Sequence, residues 1–119
     1  MKSLITLLFL AVSTVAVSQT QVSIYDQDKE TVLRYFKTET IGGRLDFEAK
    51  MKEDKAPFYL IENTMYNRKD YSILLWAQAI KRTNKLKKNE AIKLWEEIKQ
   101  RRLTKAEKRA FLKGFSMDI

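Results

Sequence analysis

Polar and apolar residues alternate strictly over residues 44–52, and this is the clearest local pattern in the chain. In a helix, Leu45 and Ala49 would lie nearly opposite Phe47 and Met51. In a strand, all four apolar side chains would share one face. The pattern therefore predicts a β-strand with one buried face and one charged face.

A turn and a second strand follow this alternating segment. Residues 53–57 contain three charged residues and end in Pro57, a composition typical of a turn. Phe58 to Glu62 are then predicted to form a strand. We therefore expect an antiparallel β-hairpin over about residues 44–62.

The segment before the predicted hairpin contains a short alternation and a short helical pattern. Val22 to Tyr25 alternate and suggest a short strand or an extended lead-in. Apolar residues at helical spacing then predict a helix over about Lys29–Lys37, with an aspartate as its N-cap. Gly42 and Gly43 end this region.

The remainder of the chain has the periodicity of three helices. The first is capped at Asn67 and is apolar on most sides over 71–80. The second begins near Asn89 and ends in basic residues. Thr104 and Glu107 form a capping box for the third, and Gly114 is expected to end it in the left-handed conformation of a Schellman motif. The predicted fold class is α+β, and a mainly α-helical small domain is the alternative.

The first 18 residues are typical of an export signal. Lys2 supplies the positive charge, residues 4–17 carry none, and Ala16 and Ser18 are the small residues that precede a cleavage site before Gln19. An uncharged run of this length is short for a membrane span. We therefore expect a signal peptide over 1–18, a single small globular domain over 19–119, and a mature protein that is periplasmic or secreted.

The composition removes most catalytic and metal chemistry. The chain has no histidine and no cysteine, so the commonest general base, the usual zinc ligands and the thiol nucleophile are all absent. Asp26, Asp28 and Glu30 resemble the start of a calcium loop, but the glycine and glutamate that such a loop requires are missing. Asp46 and Glu48 would lie about 7 Å apart on one face of the predicted strand. This separation is compatible with the paired carboxylates of a carboxylate-dependent glycan hydrolase. We expect no enzymatic activity and no cofactor, and we interpret these two carboxylates as the solvent side of a strand.

Positive charge is concentrated in the second half of the chain. Residues 67–119 contain six acidic and fifteen basic residues, a net charge of +9, whereas residues 19–66 carry −2. Such density favours anionic partners, although a solvated helix surface would have a similar composition. The candidate residues for an anionic-partner surface are Lys81, Arg82, Lys85, Lys87, Lys88, Lys99, Arg101, Arg102, Lys105 and Arg109.

Together these features predict a small, cysteine-free, exported protein that binds rather than catalyses. Its expected partner is a protein or an anionic envelope polymer. One alternative is a binder of polyanions or of membrane surfaces, which would act through the basic C-terminal helices and contact the membrane peripherally. The other alternative is a glycan hydrolase. Nucleic acid is disfavoured, because the chain is expected to be exported and carries no nucleic-acid-binding signature.

Overall fold

The computed structural model of the chain describes residues 24–117, which form five α-helices and one two-stranded antiparallel sheet. The elements in chain order are a 3₁₀ turn (Ile24–Asp26), α1 (Lys29–Glu39), α2 (Phe47–Met51), β1 (Tyr59–Ile61), β2 (Thr64–Tyr66), α3 (Arg68–Arg82), α4 (Lys88–Lys99) and α5 (Lys105–Ser116). The α+β class predicted from the sequence is confirmed. The predicted signal segment and its cleavage site before Gln19 lie outside the described residues. None of the helices between residues 24 and 117 combines the length and the apolar character required to cross a bilayer.

The helix starts predicted from polar caps are confirmed. The Asp28 carboxylate accepts a hydrogen bond from the backbone N–H of Thr31 at 2.9 Å, at the start of α1. At α3, the Asn67 side chain accepts one from the Asp70 N–H at 2.8 Å. Thr104 and Glu107 form the expected capping box of α5. Each cap satisfies a backbone donor that the helix itself leaves free, so these boundaries follow from local chemistry.

The predicted strand over 44–52 is wrong, because this segment contains the short helix α2. The Asp46 carboxylate accepts hydrogen bonds from the Gly42 N–H at 2.7 Å and the Ala49 N–H at 3.1 Å. These local bonds start a helix in place of an extended chain. Ala49 is exposed and Met51 is buried, so the alternating apolar residues do not share a buried face.

The hairpin lies further along the chain than the predicted 44–62. The second predicted strand, Phe58–Glu62, contains β1, which pairs with β2 so that Leu60 faces Met65. Glu62 and Asn63, the two residues of the turn, have φ values of 46° and 67°. Positive φ at both central residues is the signature of a type I′ turn, whose twist matches that of a hairpin.

The predicted N-terminal strand is also corrected where the structure describes it. Ile24–Asp26 form a 3₁₀ turn instead of an extended chain, and Val22 lies outside the described residues. The Ile24 carbonyl accepts a hydrogen bond from the Gln27 N–H, which closes this turn just before the Asp28 cap. The alternation of four residues was too short to specify a strand without a partner strand beside it.

Gly114 has a different role from the one predicted, because it lies inside α5 instead of ending it. A Cβ atom at this position would lie 2.1 Å from the carbonyl oxygen of Leu74 in α3. Glycine is therefore needed for the close approach of two helix backbones, and no left-handed terminator forms there.

The last three helices, α3, α4 and α5, run in alternating directions along the chain. Lys29 lies 2.7 Å from Glu90 and Lys37 lies 3.3 Å from Glu97, so α1 and α4 are parallel. Helices α3 and α5 are also parallel, since Lys69 of α3 contacts Glu107 near the start of α5 and Lys81 covers a Phe115 ring near its end. The short connections at 83–87 and 100–104 reverse the chain between them. As a result, α3 and α5 begin at the end of the molecule where α4 finishes.

An aromatic cluster forms the centre of the core. Trp76 of α3 meets Phe36 edge-on at 5.6 Å and Phe111 of α5 at 5.9 Å, measured between ring centroids. The indole N–H of Trp76 donates a hydrogen bond to the Thr40 hydroxyl at 3.0 Å. This bond satisfies the polar atom of a buried ring and attaches the chain after α1 to the core.

The close contact at Gly114 is testable by adding one methyl group. Gly114→Ala should lower the free energy of unfolding by about 1–3 kcal/mol, because the new Cβ overlaps the Leu74 carbonyl. Helix propensity alone predicts the opposite, a gain of about 1 kcal/mol. Ser116→Ala, at an exposed site in the same helix, is the control and should change stability by no more than about 0.5 kcal/mol. Denaturant unfolding measures both, and a Gly114→Ala protein as stable as the wild type would contradict this packing.

Candidate anionic-partner surface

The ten basic residues predicted from the sequence occupy two places in the structure. Lys81, Arg82, Lys85, Lys87 and Lys88 lie where α3 ends and α4 begins. Lys99, Arg101, Arg102, Lys105 and Arg109 lie where α4 ends and α5 begins. The 12 residues of α4 separate the two groups by about 18 Å. A run of charges that looks continuous in the sequence is therefore divided between the two ends of α4.

Several of the predicted residues have partners within the fold. Lys99 lies 3.4 Å from Glu48 and its side chain is mostly buried. Lys81 lies over the Phe115 ring, with its ammonium 5.6 Å from the ring centroid. The guanidinium of Arg101 stacks over Trp95 at 4.8 Å. These side chains contribute to packing between elements and are less available to an external ligand.

Arg101 also holds the most buried acidic group of the described chain. Its two terminal nitrogens each donate a hydrogen bond of 2.7 Å to Glu107, whose side chain is only 2% exposed. The Glu107 carboxylate further accepts a bond from the backbone N–H of Thr104 at 2.9 Å. The Arg101 bonds are the main reason that the pKa of Glu107 falls to about 2, and burial opposes them. Sequence reasoning identified the capping box but not this buried ion pair.

Asp70 is a second buried carboxyl near Glu107, and its pKa is shifted in the opposite direction. Burial is the main cause that raises the pKa of Asp70, and the negative charge of Glu107 adds to it. The positive charges of Arg109 and Lys69 act in the other direction but do not cancel the rise. The two carboxyls belong to the first turns of α3 and α5 and meet because these helices are parallel.

Attraction to helix dipoles explains only part of the basic surface. Lys81, Arg82, Lys99 and Lys113 lie in the last turns of their helices, where the dipole favours positive charge. Arg68 and Lys69 occupy the first turn of α3, and Lys105 occupies the first position of α5. At a helix start the dipole disfavours positive charge. A different reason is therefore needed for the basic residues at these starts.

We define the cationic end as the six exposed basic residues where α3 and α5 begin, namely Arg68, Lys69, Arg102, Lys105, Lys108 and Arg109. Within residues 24–117, only Lys69 of these six has a carboxylate within 4.0 Å. That carboxylate is Glu107, which Arg101 already holds. Arg68 donates hydrogen bonds to the backbone carbonyls of Lys52 and Asp54, and Arg109 lies over the Tyr66 ring. The most accessible positive charge of the cationic end therefore belongs to Arg102, Lys105 and Lys108.

Sequence reasoning identified only part of this cluster. Arg102, Lys105 and Arg109 are among the predicted candidates, and Lys108 was recognised as basic but not as a candidate. Arg68 and Lys69 were missed because the candidates were taken from the basic runs that begin at Lys81, which lie further along the chain. The signal that could have identified them is their position in the first turn of a helix, where the dipole opposes positive charge.

The carboxylates considered for hydrolysis have other roles in the structure. Although burial acts in the opposite direction, the backbone N–H groups of Gly42 and Ala49 lower the pKa of Asp46, which caps α2. Glu48 pairs with Lys99. Both carboxylates line a small open cleft that also reaches Lys69. An aspartate held ionised in this way is poorly suited to act as a general acid.

One of the three acidic residues that resemble a calcium loop, Asp28, is likewise engaged in the fold. Asp28 is the N-cap of α1 and accepts its hydrogen bond from Thr31. In the part of the chain that the structure describes, no group of three or more acidic side chains is arranged to hold a metal ion. Comparison of the chain with models of protein families, with curated proteins and with solved structures returns no match.

The opposite pKa shifts of Glu107 and Asp70 predict opposite effects of neutral substitutions. Glu107→Gln should lower the free energy of unfolding at pH 7 by about 3 kcal/mol, because a fall in pKa from 4.5 to about 2 is worth that much. Asp70→Asn should raise it, because the folded state disfavours the ionised Asp70 carboxyl. Chemical denaturation at pH 7 measures both changes.

The same pair predicts the direction of the acid dependence. A lowered pKa stabilises the fold above the unfolded value, so the Glu107 contribution should be lost as the pH falls from about 5 to about 2. Glu107→Gln should therefore show a smaller loss of stability over this range than the wild type, whereas Asp70→Asn should show a larger one. Equal pH profiles for Glu107→Gln and the wild type would contradict the assigned ion pair.

Proposed function

We propose that this protein is a small exported binding protein, not an enzyme, that attaches to an anionic partner through the cationic end. With the predicted signal peptide removed before Gln19, it acts in the periplasm or outside the cell. The observation that carries the proposal is the group of six exposed basic side chains with little internal neutralisation.

The arrangement of charge supports binding at this end. Two nearby carboxyl groups, Glu107 and Asp70, are buried, whereas Asp54 near Arg68 is exposed. The exposed charged side chains where α3 and α5 begin are mainly basic. Such a field extends about 8 Å at physiological ionic strength and attracts anionic surfaces or polymers.

The other basic group has a weaker claim to the same role. Lys81 and Arg82 lie in the last turn of α3, where the dipole favours them. Lys81 also contacts the Phe115 ring, whereas Lys87 and Lys88 lie at the start of α4 and have no carboxylate within 4.0 Å among residues 24–117. The two ends of α4 thus provide a test inside one molecule, since both carry basic residues and only one is proposed to bind.

Two matched variants distinguish the ends. The cationic-end variant carries Arg102→Gln, Lys105→Gln and Lys108→Gln, and the control carries Arg82→Gln, Lys87→Gln and Lys88→Gln. Each removes one arginine and two lysines from exposed positions, so their net charge and composition match. Retention on heparin should fall strongly in the first and only slightly in the second, and the wild-type retention should weaken steeply with salt. Neither variant should lose much stability, because exposed charges contribute only about 0–1 kcal/mol each to folding.

The outcome depends on the difference between the two variants. Equal loss of retention would mean that net charge alone controls binding, and the proposed surface would be wrong. A greater loss in the control would place the binding surface at the junction of α3 and α4. Thermal unfolding of both proteins checks that the fold is retained.

A further inference from the structure

The β-hairpin exposes three large apolar side chains on its outer face. Phe58, Leu60 and Met65 are 55%, 67% and 57% exposed. Leu60 and Met65 are directly paired across the two strands. Phe58 lies two residues before Leu60, so an extended chain places both on the same side. The inner face is different, because Tyr59 stacks on Tyr71 with ring centroids 4.3 Å apart.

The hairpin that carries this apolar face contacts α5 and leads into the cationic end. The Arg109 guanidinium is 5.6 Å from the centroid of Tyr66 in β2, at the base of the hairpin. Lys113, one turn further along α5, pairs with Glu62 in the hairpin turn. Tyr66 pairs with Tyr59 on the inner face, so the inner side and the turn of the hairpin contact α5. The base of the hairpin leads directly into Arg68 and Lys69 of the cationic end.

We infer that the outer face of the hairpin and the cationic end together bind the surface of a membrane that contains anionic phospholipid. The inference rests on the proposed function and specifies its partner. Phe58, Leu60 and Met65 enter the boundary between headgroups and acyl chains, while the adjoining lysines and arginines contact the phosphate groups. Peripheral binding of this kind depends on both buried apolar area and attraction to anionic lipid.

Charge and apolarity together favour this occupant over the others. A soluble polyanion would neutralise the basic residues but would leave the apolar face in water. A second copy of the chain would bring a like-charged surface to the same place, since the chain has a net charge of +8. A bilayer with anionic headgroups complements both features of the surface at once.

Vesicle binding tests the inference with variants of the hairpin face. The probes are vesicles of phosphatidylglycerol mixed with phosphatidylcholine, and vesicles of phosphatidylcholine alone. The wild type should bind the mixed vesicles in a salt-sensitive manner and bind the neutral vesicles weakly. Leu60→Thr with Met65→Thr should weaken binding to the mixed vesicles by roughly tenfold or more, because less apolar area enters the interface.

The chain offers a control at Tyr25, an exposed aromatic residue before the start of α1. Tyr25→Thr should leave vesicle affinity almost unchanged. Met65→Trp supplies a direct readout of insertion, because its fluorescence should shift to the blue with mixed vesicles. The natural Trp76 and Trp95 are buried and should change little.

The heparin and vesicle measurements separate this inference from the proposed function. Suppose that heparin retains the cationic-end variant less strongly than the wild type, while the Leu60→Thr, Met65→Thr variant binds mixed vesicles as tightly as the wild type. In that case the proposed anion-binding surface stands and the membrane inference is wrong. If neither heparin nor mixed vesicles retain the wild type, both are wrong. A wild-type dimer that becomes monomeric in the hairpin variant, measured by sedimentation, would assign this face to self-association and would also overturn the inference.

Discussion

The ion pair between Arg101 and the buried carboxylate of Glu107 determines how one end of the molecule is arranged. Glu107 lies among the connection from α4, the first turn of α5 and Lys69 of α3, so one acidic group joins three helices. A carboxylate this buried requires a charged partner, because an unpaired buried charge is strongly destabilising. This requirement holds the Arg101 side chain against Glu107. The basic residues around it remain exposed, and they form the cationic end.

The fold was predictable where local interactions decide it. Asp28, Asn67 and Thr104 cap helices through bonds that span three residues, and each cap could be identified from the sequence. The alternation over 44–52 was misleading because Asp46 forms equally local bonds that start α2. The role of Gly114 could not be deduced, since it depends on Leu74 of another helix.

The candidate site was less predictable than the fold, because tertiary packing selects its members. Charges that are close in the sequence, such as Lys88 and Lys99, lie at opposite ends of α4. Arg68 and Lys69 join the cationic end only because α3 and α5 are parallel and start together. The hairpin contacts this cluster through Arg109 and Tyr66, which are far apart in the chain.

The central claim is that the cationic end and the hairpin form one binding surface. The most direct test is hydrogen exchange of the full-length protein bound to mixed phosphatidylglycerol and phosphatidylcholine vesicles. Binding should slow backbone amide exchange in residues 58–66 and 102–109, because these segments contact the lipid. Exchange in residues 81–88, at the far end of α4, should not change. Slower exchange in 81–88 with no change in the hairpin would contradict the account.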